Sequence, residues 1–89
     1  MFDLTGRVVV VTGGNRGIGL GIARGVAEAG ADVVIWGRDE ERNVAAAAEL
    51  ADLGRRVLAV RCDVAEEDQV MEAFARSVEG MGKVDSLFA

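Results

Sequence analysis

Apolar residues are arranged along this chain in two alternating rhythms. Arg7–Thr12 (RVVVVT), Ala31–Trp36 (ADVVIW), Val57–Arg61 (VLAVR) and Val84–Ala89 (VDSLFA) are short, near-continuous apolar runs. Runs of this kind, rather than strict alternation, fit strands covered on both faces, as in a parallel sheet. Between them, apolar residues return every third or fourth position, which predicts helices over Gly17–Ala29, Glu40–Leu53 and Glu66–Val78. The expected buried stripes are Ile18, Ile22 and Val26 in the first helix, and Val44, Ala47, Ala48 and Ala51 in the second. In the third they are Val70, Phe74 and Val78.

The punctuation agrees with these elements. Gly30, Gly54 and the pair Gly80 and Gly82 stop the three helices, and Asp39 is a plausible N-cap for the second. Ala65 holds the cap position of the third, ahead of Glu66, Glu67 and Asp68, whose charges suit a first turn. Gly17, Gly21 and Gly25 fall on one row of the first helix. Each costs that helix up to about 1 kcal/mol relative to alanine, so the row is expected to be a groove for close packing. Phe2–Gly6 form a short lead-in.

The order β-α-β-α-β-α-β predicts an α/β fold, a doubly wound parallel sheet in a three-layer α/β/α sandwich with right-handed crossovers. The expected strand order is 3-2-1-4, with a ligand at the switch point between strands 1 and 4. The fourth strand stops inside its own apolar run, which leaves an apolar sheet edge. The expectation is therefore the front portion of a larger protein, or a chain that a partner completes.

Composition removes several classes of function. Ten basic against fifteen acidic residues, a net charge of −5, argue against general nucleic-acid affinity. The chain has no histidine, which excludes a histidine base, a histidine-containing metal site and a Ser-His-Asp triad, and no metal site is expected. Lone Cys62 forms no internal disulfide and reads as a buried thiol in a reducing compartment. The N-terminus lacks a signal-peptide pattern, and no apolar run approaches the roughly 18 residues of a membrane span. A soluble, cytoplasmic protein without a membrane partner is expected.

The chemistry concentrates in Val8–Gly19, VVVVTGGNRGIG, where a strand enters a glycine turn that opens a helix. Glycines let the backbone turn sharply and let a ligand approach without meeting a Cβ. The free N–H groups and positive dipole end of the next helix then face an anion. The strict G-x-G-x-x-G spacing is absent, since the glycines fall at Gly13, Gly17 and Gly19. A kinase-type phosphate loop is excluded, because no Gly-Lys-Ser/Thr follows the turn.

Three features together resemble the short-chain dehydrogenase/reductase family. Thr12–Gly19 (TGGNRGIG) matches its T-G-x-x-x-G-x-G loop, and Cys62-Asp63-Val64 matches its Asp-Val/Leu pair after the third strand. Gly82–Ala89 (GKVDSLFA) resembles the run into its N-N-A-G motif. The resemblance implies that residues 1–89 are the N-terminal dinucleotide-binding part of a single Rossmann-type domain. In that part Gly13, Gly17 and Gly19 would shape the pyrophosphate loop, the Ile18 backbone N–H would also face the cofactor, and Asn15 and Arg16 of the same loop would be cofactor-binding residues. Asp63 would accept a hydrogen bond from the adenine amino group, and Val64 would pack on the ring.

Charge speaks to the choice of cofactor. A site for NAD wants a carboxylate at the end of the second strand, where this chain has Gly37. Arg38 follows, and Arg16 stands in the loop; guanidinium groups suit a 2′-phosphate, so NADP is favoured over NAD. Asp39 would be the NAD carboxylate if the register shifted by two. Trp36 reads as core or interface in preference to an adenosine wall. Arg16 and Arg38 also argue against an S-adenosylmethionine site, which needs no such cations.

The family's catalytic Ser, Tyr and Lys, and its N-N-A-G asparagine, would lie beyond Ala89, so no catalytic residue is expected here. The expected function is the cofactor-binding portion of an NADP(H)-dependent oxidoreductase, moving hydride between nicotinamide and a small-molecule carbonyl or alcohol. The resemblance also implies a homo-oligomer. The alternative is a non-catalytic nucleotide-binding fragment or assembly half.

Overall fold

The four valines nearest the N-terminus form the middle of the sheet. The structure, a computed structural model, describes residues 3–89, so Phe2 of the expected lead-in lies outside the described residues. The elements run β1 (Val8–Thr12), α1 (Gly17–Glu28), β2 (Asp32–Gly37), α2 (Glu40–Ala51), β3 (Val57–Arg61), α3 (Glu67–Met81) and β4 (Ser86–Phe88). All pairings are parallel, in the order β3-β2-β1-β4, with Val10 opposite Val34 on one side and Leu87 on the other.

Neighbouring side chains on a strand point to opposite faces, and both faces of this sheet are covered. Val9, Val11, Val33 and Ile35 pack with Ala23 and Ala27 of α1 and Ala46 and Leu50 of α2. Val8, Val10, Val34, Trp36 and Val60 pack with Ala73 and Met81 of α3 on the other face. The architecture is the expected three-layer α/β sandwich.

The helix faces depart from expectation in a consistent way. The rows closest to the sheet are Ala23 and Ala27 in α1, Asn43, Ala46 and Leu50 in α2, and Ala73, Ser77 and Met81 in α3. Ile22, Val26 and Val70 flank those rows, whereas Ile18, Val44 and Phe74 are exposed, along with Ala48 and Ala51. In α1 the buried row is alanine alone, with the larger apolar residues to either side, whereas α2 and α3 bury Leu50 and Met81 at the far ends of rows that start with smaller residues. The row of Gly21 and Gly25 is exposed, and a Cβ added at either position would meet nothing within 4 Å, so it is not a packing groove. Gly80, by contrast, packs closely from inside α3, where a Cβ would stand 2.8 Å from Leu58 Cδ2. The α3 N-cap is Glu66 rather than Ala65, and its C-cap is Gly82 in the left-handed conformation.

Where the strands begin, carboxylates bind the chain to itself. The Asp85 carboxylate accepts the Val8 N–H at 2.8 Å and the Lys83 ammonium at 3.0 Å, with Arg7 at 3.9 Å. These partners hold the Asp85 carboxyl below the usual carboxylate range, the Val8 hydrogen bond contributing most. Asp32 accepts both the backbone N–H of Arg56, at 3.1 Å, and its Nε, at 3.0 Å. Across the helix layer Arg24 pairs with Glu49 at 2.6 Å. Among the described residues no helix is long and apolar enough to cross a membrane.

Candidate functional site

The site lies where β1, β2 and β3 end. β1 runs through Thr12 into a loop whose Gly13 and Gly17 have φ of +68° and +56°, a region that L side chains rarely enter. Gly19 is needed for a different reason: a Cβ there would overlap the Gly13 carbonyl oxygen. The Gly13 N–H donates to the Trp36 carbonyl at 2.8 Å and ties the loop to β2. At the N-cap of α1, Arg16 is extended and offers no side-chain hydrogen bond, and the first turn holds no acidic residue. The first N–H groups of a helix have no partner within it, so this end of α1 is left to attract an anion.

An open cleft of about 670 Å³ lies between the loop, the end of β2 and the segment after β3. Gly13, Asn15, Arg16, Arg38, Asp63 and Val64 line it together, drawn from three separate parts of the sequence. Gly17, Ile18 and Gly19 stand outside its walls, at the adjoining start of α1, where the Ile18 side chain is 85% exposed.

The polar groups of this cleft differ in how far the chain occupies them. Asp39 is the N-cap of α2: one oxygen accepts the Arg42 N–H at 3.2 Å, and the other faces Arg42 Nε at 3.3 Å. Arg16 and Arg38 have no ion pair among the described residues. Asp63 Oδ1 accepts the Ala65 N–H at 3.0 Å, and the Asp63 N–H donates to Gln69 Oε1 at 2.8 Å. These bonds fix the backbone at Asp63 and leave Oδ2 free to accept. Val64 beside it is 58% exposed, an apolar surface open to the cleft.

Trp36 is buried, its indole N–H donating to Ser77 Oγ at 3.0 Å, and Ser77 in turn donates to the Ala73 carbonyl at 2.7 Å. It is a core residue whose edge reaches the cleft wall. Cys62 is buried, and burial, then the neighbouring Asp63 carboxylate, push its thiol pKa up. It therefore stays protonated near neutral pH, a state of low nucleophilicity. Two residues that support the cleft from behind its walls escaped sequence reasoning. Gln69 carries no pattern of its own, whereas buried Asn43 sits at a core position of an amphipathic helix, where a polar residue is itself a signal.

Comparison with known proteins agrees with this geometry. Residues 7–89 match the family model described as short chain dehydrogenase. A 3-oxoacyl-[acyl-carrier-protein] reductase from Chlamydia pneumoniae is 44% identical over 84 residues, which are 94% of this chain and 34% of that protein. Among solved structures, L-sorbose reductase from Gluconobacter frateurii, complexed with NADPH and L-sorbose, superimposes with a TM-score of 0.92 and 38% identity. That likeness covers 97% of this chain and 33% of the reductase. An NAD+-bound xylitol dehydrogenase superimposes with a TM-score of 0.91 at 31% identity, over 94% of this chain and 32% of that one. The chain thus spans about a third of the length of these relatives.

Proposed function

The chain belongs to the short-chain dehydrogenase family, and from that premise we propose that it is the cofactor-binding part of an NADP(H)-dependent oxidoreductase acting on a carbonyl or alcohol. The observation that carries the NADP(H) reading is the imbalance of charge in the cleft. Among the described residues Arg16 and Arg38 have no carboxylate partner, β2 ends in Gly37, and Asp39, a carboxylate in the cleft wall, is taken up in capping α2. Guanidinium groups in that position suit a phosphate, which they can bind through two parallel hydrogen bonds.

The residues fit a dinucleotide. The glycine loop supplies backbone without Cβ atoms beside the open N-terminus of α1, a cradle for a pyrophosphate. Asp63 Oδ2 would accept a hydrogen bond from the adenine amino group, and exposed Val64 would cover a face of the ring. When bound, such a cofactor gives hydride to a carbonyl carbon or takes it from an alcohol carbon. The residues of this chain hold and orient it. We assign them no proton transfer, since the sequence contains neither tyrosine nor histidine and Cys62 is buried as a thiol.

Titration of the purified chain with NADPH and with NADH tests this reading. NADPH should bind more tightly. Arg38→Ala should weaken NADPH by roughly 10- to 100-fold, the worth of a charged hydrogen bond of about 1.5–3 kcal/mol, and leave NADH unchanged. Equal affinities in the unsubstituted chain would defeat the 2′-phosphate assignment.

A further inference from the structure

Asn43 lies in the first turn of α2, on its buried face, and is 1% exposed. A buried carboxamide is costly unless both of its ends are hydrogen-bonded, and both are. Its Nδ2 donates to the Gly37 carbonyl oxygen at 3.0 Å, and its Oδ1 accepts from Asn15 Nδ2 at 2.9 Å. The direction of this relay is fixed from one end. A backbone carbonyl only accepts, so Asn43 must present its NH₂ to Gly37 and its oxygen to Asn15. Asn15 is thereby bound to the end of β2, across 28 residues of sequence.

A second, independent observation concerns position 37. Gly37 is not among the glycines with positive φ, so the backbone there does not call for glycine. Side chains do: a Cβ at 37 would stand 2.5 Å from Asn43 Oδ1 and would overlap Asn15 Nδ2. As they stand, the Asn15 and Asn43 carboxamides occupy the space that a Cβ at this position needs.

We propose that Asn43 is a positioning residue that determines cofactor specificity. By holding Asn15 against β2 it shuts position 37 to a carboxylate, the group that would hold an unphosphorylated ribose, and leaves that end of the cleft to Arg16 and Arg38. Asn43 does not line the cleft, so it acts through Asn15 and Gly37. The specificity role rests on the NADP(H) reading above, whereas the steric exclusion at position 37 does not.

The test compares Gly37→Asp, Asn43→Ala and the double variant with the unsubstituted chain, reading NADPH and NADH dissociation constants and the melting midpoint. Gly37→Asp alone should lower the midpoint and weaken both cofactors. Asn43→Ala should weaken NADPH by roughly tenfold, because Asn15 and the Gly37 carbonyl lose their partner. The double variant should melt higher than Gly37→Asp alone, and its NADPH-to-NADH preference should shift toward NADH by roughly tenfold or more. A uniform weakening of both cofactors would mark a merely structural residue, and an unchanged preference in the double variant would overturn the specificity role. A double variant that melts no higher than Gly37→Asp would overturn the exclusion itself. Failure of the unsubstituted chain to prefer NADPH would remove the NADP(H) reading, and the melting comparison would still decide whether Asn43 closes position 37.

Discussion

At the end of the sheet where the strands begin, Asp85 and Asp32 each accept a backbone N–H and face a cation of the same chain. At the end where the strands finish, Arg16 and Arg38 face an open cleft with no such partner among the described residues, whereas Arg42 of the same cleft is paired with Asp39. The first end spends its charges on holding strands and loops together. The second keeps charge and backbone donors in reserve for a ligand. An ion pair on the surface of a fold is thus a poor guide to function, and the cation left without one is a better guide.

Substitution at each end can break this contrast. The largest effect is expected from Gly19→Ala, whose new Cβ would overlap the Gly13 carbonyl in a loop held by backbone. A cost of about 3 kcal/mol or more should lower the melting midpoint by over ~10 °C and abolish cofactor binding together with it. Asp85→Asn comes next and should separate the two ends, lowering the midpoint at neutral pH while leaving NADPH affinity intact. Its pH dependence has a definite sign. The folded state lowers the Asp85 pKa below its ordinary value of 3.8, so the contribution is present above that value and is lost as pH falls through the lowered one. The asparagine variant should lack that acid limb, and thermal melts between neutral and strongly acid pH would detect it. The smallest effect is expected from Arg24→Ala, which removes a solvent-exposed pair between α1 and α2 and should cost less than about 1 kcal/mol in denaturant melts, with no change in binding.

The order of elements and the strand sequence 3-2-1-4 were legible in the sequence, because continuous apolar runs and helical periodicity are local signals. The bounds of β3 and the Asp39 cap follow from such signals too. The inward faces of the helices were not legible. Hydrophobicity points to Ile18, Val44 and Phe74, yet a helix meets a sheet most closely along Ala23 and Ala27, or Ala73 and Ser77, where bulk would not fit. Ile18 is exposed in the first turn of α1, where the helix leaves the glycine loop. The cleft shows the same division. Gly13, Asn15, Arg16, Arg38, Asp63 and Val64 could be named from motifs, and the structure brings them to one cleft. Asn43 could not be assigned a partner, because its partner Asn15 is distant in sequence.

The pairing of β1 with β4 has a consequence for the way this chain is made. β1 is the first of the described strands in chain order and also an inner strand of the sheet, and its pairing with β4 joins residues 77 apart, as from Val9 to Ser86. Closing so long a loop costs entropy that local contacts do not repay in advance. During vectorial synthesis one whole edge of the valine strand must therefore wait, unpaired and apolar, until Ser86–Phe88 emerge. The inner place of the valine strand, beside the glycine loop, is in this way completed by the pairing that joins the most distant stretches of the described sequence.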